Sequence, residues 1–96
     1  MCEFKVVKEK DGTQLAEDVV IMHYNDDHEL LLKDILGTGK KMESALLYDV
    51  NTMNQTTKVL EHPLIKDFVA LVESLVHGNS VPEEIEAFQA KLEAFK

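Results

Sequence analysis

The sequence predicts a mainly β fold with C-terminal helices: five short strands forming a small barrel or strongly bent sheet over residues 1–60, then an α-helical hairpin over residues 61–96. Three observations predict it. Apolar, β-branched runs recur at short intervals as far as Leu60, each followed by Gly, Asn or Asp residues that favour turns. His62-Pro63 then ends that pattern, and apolar residues return at the three-and-four spacing of a helix. Finally, 96 residues with 45% hydrophobic and 29% charged side chains describe one folded domain with a real but small core, not a disordered chain.

The first strand is Phe4-Lys5-Val6-Val7, running into Lys10-Asp11-Gly12, where Asp-Gly signals a tight hairpin. A second strand fits Leu15 to Tyr24 and is densest at Val19-Val20-Ile21-Met22. Asn25-Asp26-Asp27-His28 makes the next turn, because Asn and Asp side chains bond their own backbone there. Leu30 to Leu36 gives a third strand, ended by Gly37-Thr38-Gly39, and Met42 to Val50 a fourth. Asn51 to Asn54 reads as a turn before a short fifth strand, Thr56 to Leu60.

Leu64, Ile65, Phe68, Val69, Leu71, Val72, Leu75 and Val76 then define a helix, with Pro63 suited to its first turn and Gly78-Asn79 to its end. Ser80-Val81-Pro82-Glu83 reads as a capping box for a second helix, whose stripe Val81, Ile85, Phe88, Leu92 and Phe95 is narrow and faces one partner. The first helix is different. Eight apolar residues within thirteen cover too much of its circumference for one contact, so burial on two sides is expected. The β part supplies one side; the other is either the second helix or another copy of the chain.

Charge narrows the function classes. The net charge is −8, with no arginine, and residues 1–60 and 61–96 each carry −4. Nucleic-acid binding depends on neutralising phosphates, so this balance disfavours it. Lys5, Lys8, Lys10, Lys40 and Lys41 are the residues from which an RNA-binding face would have to be built. The longest apolar runs are far too short to span a bilayer, and the alternating charges of Glu3–Lys10 leave no room for a secretory h-region. A cytoplasmic protein without membrane contact is expected.

Chemistry points to one position. Cys2, the single cysteine, directly follows Met1. Removal of Met1 by methionine aminopeptidase would leave a thiol beside a free α-amine, with pKa values of roughly 8.5 and 7.7–8.0. A soft divalent ion displaces both protons, and the thiolate–amine chelate suits nickel, copper or zinc. Single cysteines are, on the other hand, commonly buried packing residues.

Met1-Cys2-Glu3, Lys5-Val6, Asp11-Gly12, Glu17-Asp18-Val19, Leu30–Gly37 and Asp49-Val50 follow one another in an order that resembles the CooT family of small prokaryotic proteins, across about residues 1–60. The resemblance implies a small SH3-like barrel, usually a homodimer, with nickel held between two chains at the N-terminal cysteine. It also implies a client, the nickel enzyme carbon monoxide dehydrogenase. Only Cys2 carries over as a ligand, with the main-chain nitrogens of Cys2 and Glu3 as companions. The family also bears a predicted RNA-binding label drawn from fold analogy, which this acidic chain does little to support. The helical extension departs from the short members, so the dimer interface is open to change.

Other candidates carry less. His23, Asp26, Asp27, His28 and Glu29 cluster in one turn, but without EF-hand or His-x-x-x-His spacing. His62 is explained by strand termination before Pro63, and His77 by the dipole at a helix C-terminus. Gly37–Lys41 lacks the spacing of a phosphate-binding loop and precedes a strand. Cys2 has no histidine near it in sequence to activate it as a nucleophile, and no enzyme is expected. The competing functional class is a protein-interaction module that uses the helical hairpin.

Overall fold

The computed structural model describes residues 3–96. Seven strands precede two helices: β1 Phe4–Lys8, β2 Gln14–Val19, β3 Ile21–Tyr24, β4 Leu30–Lys33, β5 Gly39–Met42, β6 Ala45–Asn51, β7 Thr56–Glu61, α1 Pro63–Val76 and α2 Pro82–Glu93. The strands form a four-stranded sheet in the order β2-β1-β7-β6 and a three-stranded sheet in the order β3-β4-β5. All neighbours are antiparallel except β1 and β7, which run parallel with Val6 opposite Thr57. The mainly β fold with C-terminal helices therefore stands, but the described ladders form two sheets with seven strands instead of one barrel of five.

The difference arises at two corners. The expected second strand breaks where Asp18 adopts a left-handed φ of 55° beside a register shift between Phe4 and Val6. The bulge turns the chain out of the larger sheet, and Val20 N–H then bonds Lys33 O in the smaller one. The expected fourth strand, Met42 to Val50, breaks likewise at Glu43-Ser44: Met42 ends β5, which already begins at Gly39 of the expected turn and belongs to the smaller sheet, while the rest forms β6 of the larger one. Ser44 holds that corner: its hydroxyl donates to His62 O at 2.5 Å and accepts Lys66 N–H at 2.9 Å.

The expected third strand ends early, at Lys33. The Asp34 carboxylate accepts the amides of Leu36 and Thr38, and Gly37 takes φ 84°, so Ile35 and Leu36 curl into an exposed turn. Gly39 then passes against β4 so closely that a Cβ there would lie 1.8 Å from Leu32 O. The turns at Asp11-Gly12, Asn25–His28 and Asn51–Asn54 form where expected, each organised by an Asp or Asn side chain accepting a nearby backbone amide.

The core lies between the sheets and consists of Val6, Val19, Leu30, Leu32, Met42, Ala45 and Val59. At roughly 1.5–3 kcal/mol per large buried side chain, these few residues carry much of the stability of a chain this size. Tyr24 ties the sheets together from the edge of the core: its hydroxyl donates to Ala45 O at 2.8 Å and accepts Leu47 N–H at 3.2 Å.

Helix α1 starts at His62, whose Nδ1 accepts Leu64 N–H at 3.1 Å, so this histidine is a helix cap as well as a strand end. It stops in a paired-carbonyl motif at Gly78, with Asn79 N–H on Ser74 O and Gly78 N–H on Leu75 O. The Ser80 capping box does not form. Val81 is instead the N-cap of α2, without a side-chain cap bond, because its side chain is buried and sets the start of the helix one residue later. Two-sided burial of α1 does not form within the chain either, as none of its residues is fully buried. The Cα radius of gyration, 15.1 Å, exceeds the ~12.5 Å of a compact chain of this length, in keeping with a projecting hairpin.

Candidate functional site

The expected metal ligand, Cys2, lies outside the described residues. Glu3 is exposed and sits immediately before β1. Its position follows from the pairing: Phe4 lies opposite Val19, and Lys5 N–H bonds Gln55 O, so β1 begins beside the turn joining β6 to β7. The main-chain nitrogen of Glu3 precedes the first ladder residue.

The acidic turn between β3 and β4 is built for structure. Asn25 Oδ1 accepts the amides of Asp27 and Glu29, and Asn25 Nδ2 donates to Glu29 Oε1 at 2.9 Å. Glu29 is buried, with Lys41 Nζ 3.5 Å from its other oxygen. The Asn25 bond holds its carboxyl below the usual range; burial opposes this, and Lys41 and Lys66 add to the lowering. His28 Nε2 lies 3.1 Å from Glu73 Oε1 on α1, whereas His23 is exposed on β3 opposite Leu31. The two histidines thus serve different contacts. Among the described residues, no three His, Cys, Asp or Glu side chains converge to hold a metal ion.

Sequence reasoning missed Glu29 as a buried ion and Tyr24 as the link between sheets. An Asn four residues before a Glu was the available signal for the first; Tyr24 offered none. The methionines divide as well. Met42 is buried in the core, Met22 packs against it, and Met53 is fully exposed in a turn.

The lysines proposed for a basic face come together only in part. Lys8, Lys40 and Lys41 line a cleft of about 600 Å³ at the foot of α1, interleaved with Glu43 and Glu61. Lys8 Nζ is 3.8 Å from Glu61, and Lys41 is committed to Glu29. The cleft is therefore mixed in sign. The N-terminal amides of α1 are also taken: Leu64 and Ile65 bond His62, and Lys66 bonds Ser44.

No helix is long and apolar enough to cross a membrane among the described residues. Comparison with curated proteins returned no match. The model of the family described as CO dehydrogenase accessory protein CooT matches residues 1–59, from the Met-Cys start into β7 and short of both helices. With more than half of its length matched, the chain belongs to the CooT family of CO dehydrogenase accessory proteins.

Proposed function

We propose that this chain is a non-enzymatic cytoplasmic accessory factor that carries nickel, or a similar soft divalent ion, on Cys2 in a homodimer. Residues 1–60 form an SH3-like metal-carrying unit, and residues 61–96 a helical extension. The role is storage, sensing or delivery of the ion, with a carbon monoxide dehydrogenase-type enzyme as client.

One observation carries this reading: the family match begins at residue 1 and so includes the Met-Cys start. The donor chemistry supports it. A Cys2 thiolate with the main-chain nitrogens of Cys2 and Glu3 forms a soft chelate suited to nickel. An exposed Glu3 ahead of the first ladder residue is compatible with such a use of its nitrogen. The two corners at which the chain passes from one sheet to the other, β2 to β3 and β5 to β6, support the SH3-like reading of the β part.

The test compares untagged parent protein and Cys2→Ala by nickel titration calorimetry and native mass spectrometry. The parent is expected to bind nickel and the variant to lose at least ~100-fold in affinity, having lost its only thiolate. Equal affinity in the two proteins would overturn the proposal.

A further inference from the structure

Helix α1 leaves one apolar side largely uncovered by the rest of the chain. At about 100° per residue, Phe68, Val72, Leu75 and Val76 share an arc of about 100°. All four are exposed, Val76 to 75% and Phe68 to 53%. On α2, Ile85 and Leu92 are seven residues apart, share one face with Phe88, and are also exposed.

The contacts between the helices put these residues on the same side of the hairpin. Phe68 and Phe88 meet at the seam with ring centroids 6.0 Å apart. The Asp67–Lys91 ion pair marks the other side of that seam. The hairpin therefore has a polar flank and an apolar flank, and no charged residue falls within the apolar arcs of either helix.

Several features identify what covers this flank. A 14-residue helix without a single buried residue needs cover on its apolar side to be stable in water. The six exposed side chains present on the order of 500 Å² per chain, near the upper limit of what monomers leave uncovered. Pairing two such flanks hides about 1,000 Å², the threshold for a specific interface. The face is also self-complementary, since a second copy brings apolar surface and no charge onto it. An acidic chain of charge −8 keeps its carboxylates on the other faces.

We propose that a second copy of the chain docks on this flank, the two hairpins pairing about a two-fold axis into a four-helix bundle. This deepens the homodimer part of the proposed function and rests on it, but not on nickel binding.

The test is sedimentation velocity on the metal-free full chain, comparing the parent with Val72→Lys/Val76→Lys. The single variant Val76→Lys serves as a second probe at a site too exposed to affect folding. The parent is expected to be a dimer, and the double variant to dissociate at least ~100-fold more readily with unchanged circular dichroism, because two ammonium groups would have to be buried. Val76→Lys should show a smaller weakening in the same direction. A monomeric parent, or lysine variants that dimerise as tightly as the parent, would overturn the proposal. Nickel titration of the lysine variants keeps the two readings apart: retained binding with lost dimerisation supports the hairpin interface. Dimerisation lost in Cys2→Ala but kept in the lysine variants overturns it.

Discussion

Tyr24→Phe removes one oxygen atom and tests whether the two sheets are held together where the structure indicates. The Tyr24 hydroxyl belongs to the three-stranded sheet, and both of its partners belong to β6 of the other sheet. It donates to Ala45 O at 2.8 Å and accepts Leu47 N–H at 3.2 Å, just before the register irregularity between Leu47 and Asp49. Burial pushes the phenol pKa up, with the Leu47 bond opposing, so the hydroxyl stays neutral and both bonds persist through the working pH range. Each neutral bond contributes about 0.5–1.5 kcal/mol. Ala45 is 1% exposed, which restricts water from replacing the lost donor, so the two together are worth about 2 kcal/mol. Because the ring remains, core packing is unchanged and the loss belongs to the hydroxyl alone. For a domain of this size it corresponds to a melting temperature about 8–16 °C lower. Urea unfolding gives the free energy, and amide exchange at Leu47 gives the location. A stability change below ~0.5 kcal/mol, or Leu47 exchange equal to the parent's, would refute the reasoning.

Gly39→Ala should cost about 3 kcal/mol or more, because the new Cβ meets the Leu32 carbonyl of the paired strand and the β4–β5 ladder has to open. A melting temperature within a few degrees of the parent's would show that the strands separate without penalty. Glu29→Gln tests a pH dependence of definite sign. The folded pKa of Glu29 lies below its ordinary value, chiefly through Asn25, so its ionised form stabilises the fold above the unfolded pKa of about 4.3. That contribution is lost as pH falls through the folded pKa. The stability gap between parent and variant should therefore be widest near neutrality and shrink on acidification; a gap independent of pH would show that Glu29 is not held as an ion.

The turns were legible in the sequence because Asn25, Asp11 and Asn51 act on backbone amides within four residues, and local chemistry needs no tertiary knowledge. The corners were not. Val19 to Met22 reads as one continuous apolar run, whereas the decision to leave one sheet for another at Asp18 is made by the sheets. Asp34 and Gly37 did carry a readable signal, a carboxylate three residues before a left-handed glycine, but the apolar Ile35 and Leu36 between them masked it. The breadth of the apolar arc on α1 was legible, and so was the inference that one contact would not cover it. Which surface covers it depends on how far the hairpin leans from the sheets, a property of the Ser44–His62–Lys66 corner that no periodicity records. For the candidate site, the Met-Cys start was the legible part. The buried Glu29 was legible only in part: Asn25, four residues away, was a readable partner, whereas Lys41, twelve residues away on β5, was not.

The topology also bears on how metal and dimer relate. Strand β1 runs parallel to β7 with Lys5 opposite Thr56, so Glu3 stands at the start of β7. Helix α1 leaves from the other end of that strand, after Glu61, and is tied near its start to Ser44 and further along to His28. Six strand residues, about 20 Å, therefore separate the beginning of β1 from the root of the hairpin. Pairing through the hairpins does not by itself bring two β1 starts together. If pairing runs through the hairpins alone, the native mass spectrum that tests Cys2 should show one nickel per chain. One nickel per dimer would instead require the two β1 starts to meet, which places the two-fold axis at the β6–β7 turn and away from the helices.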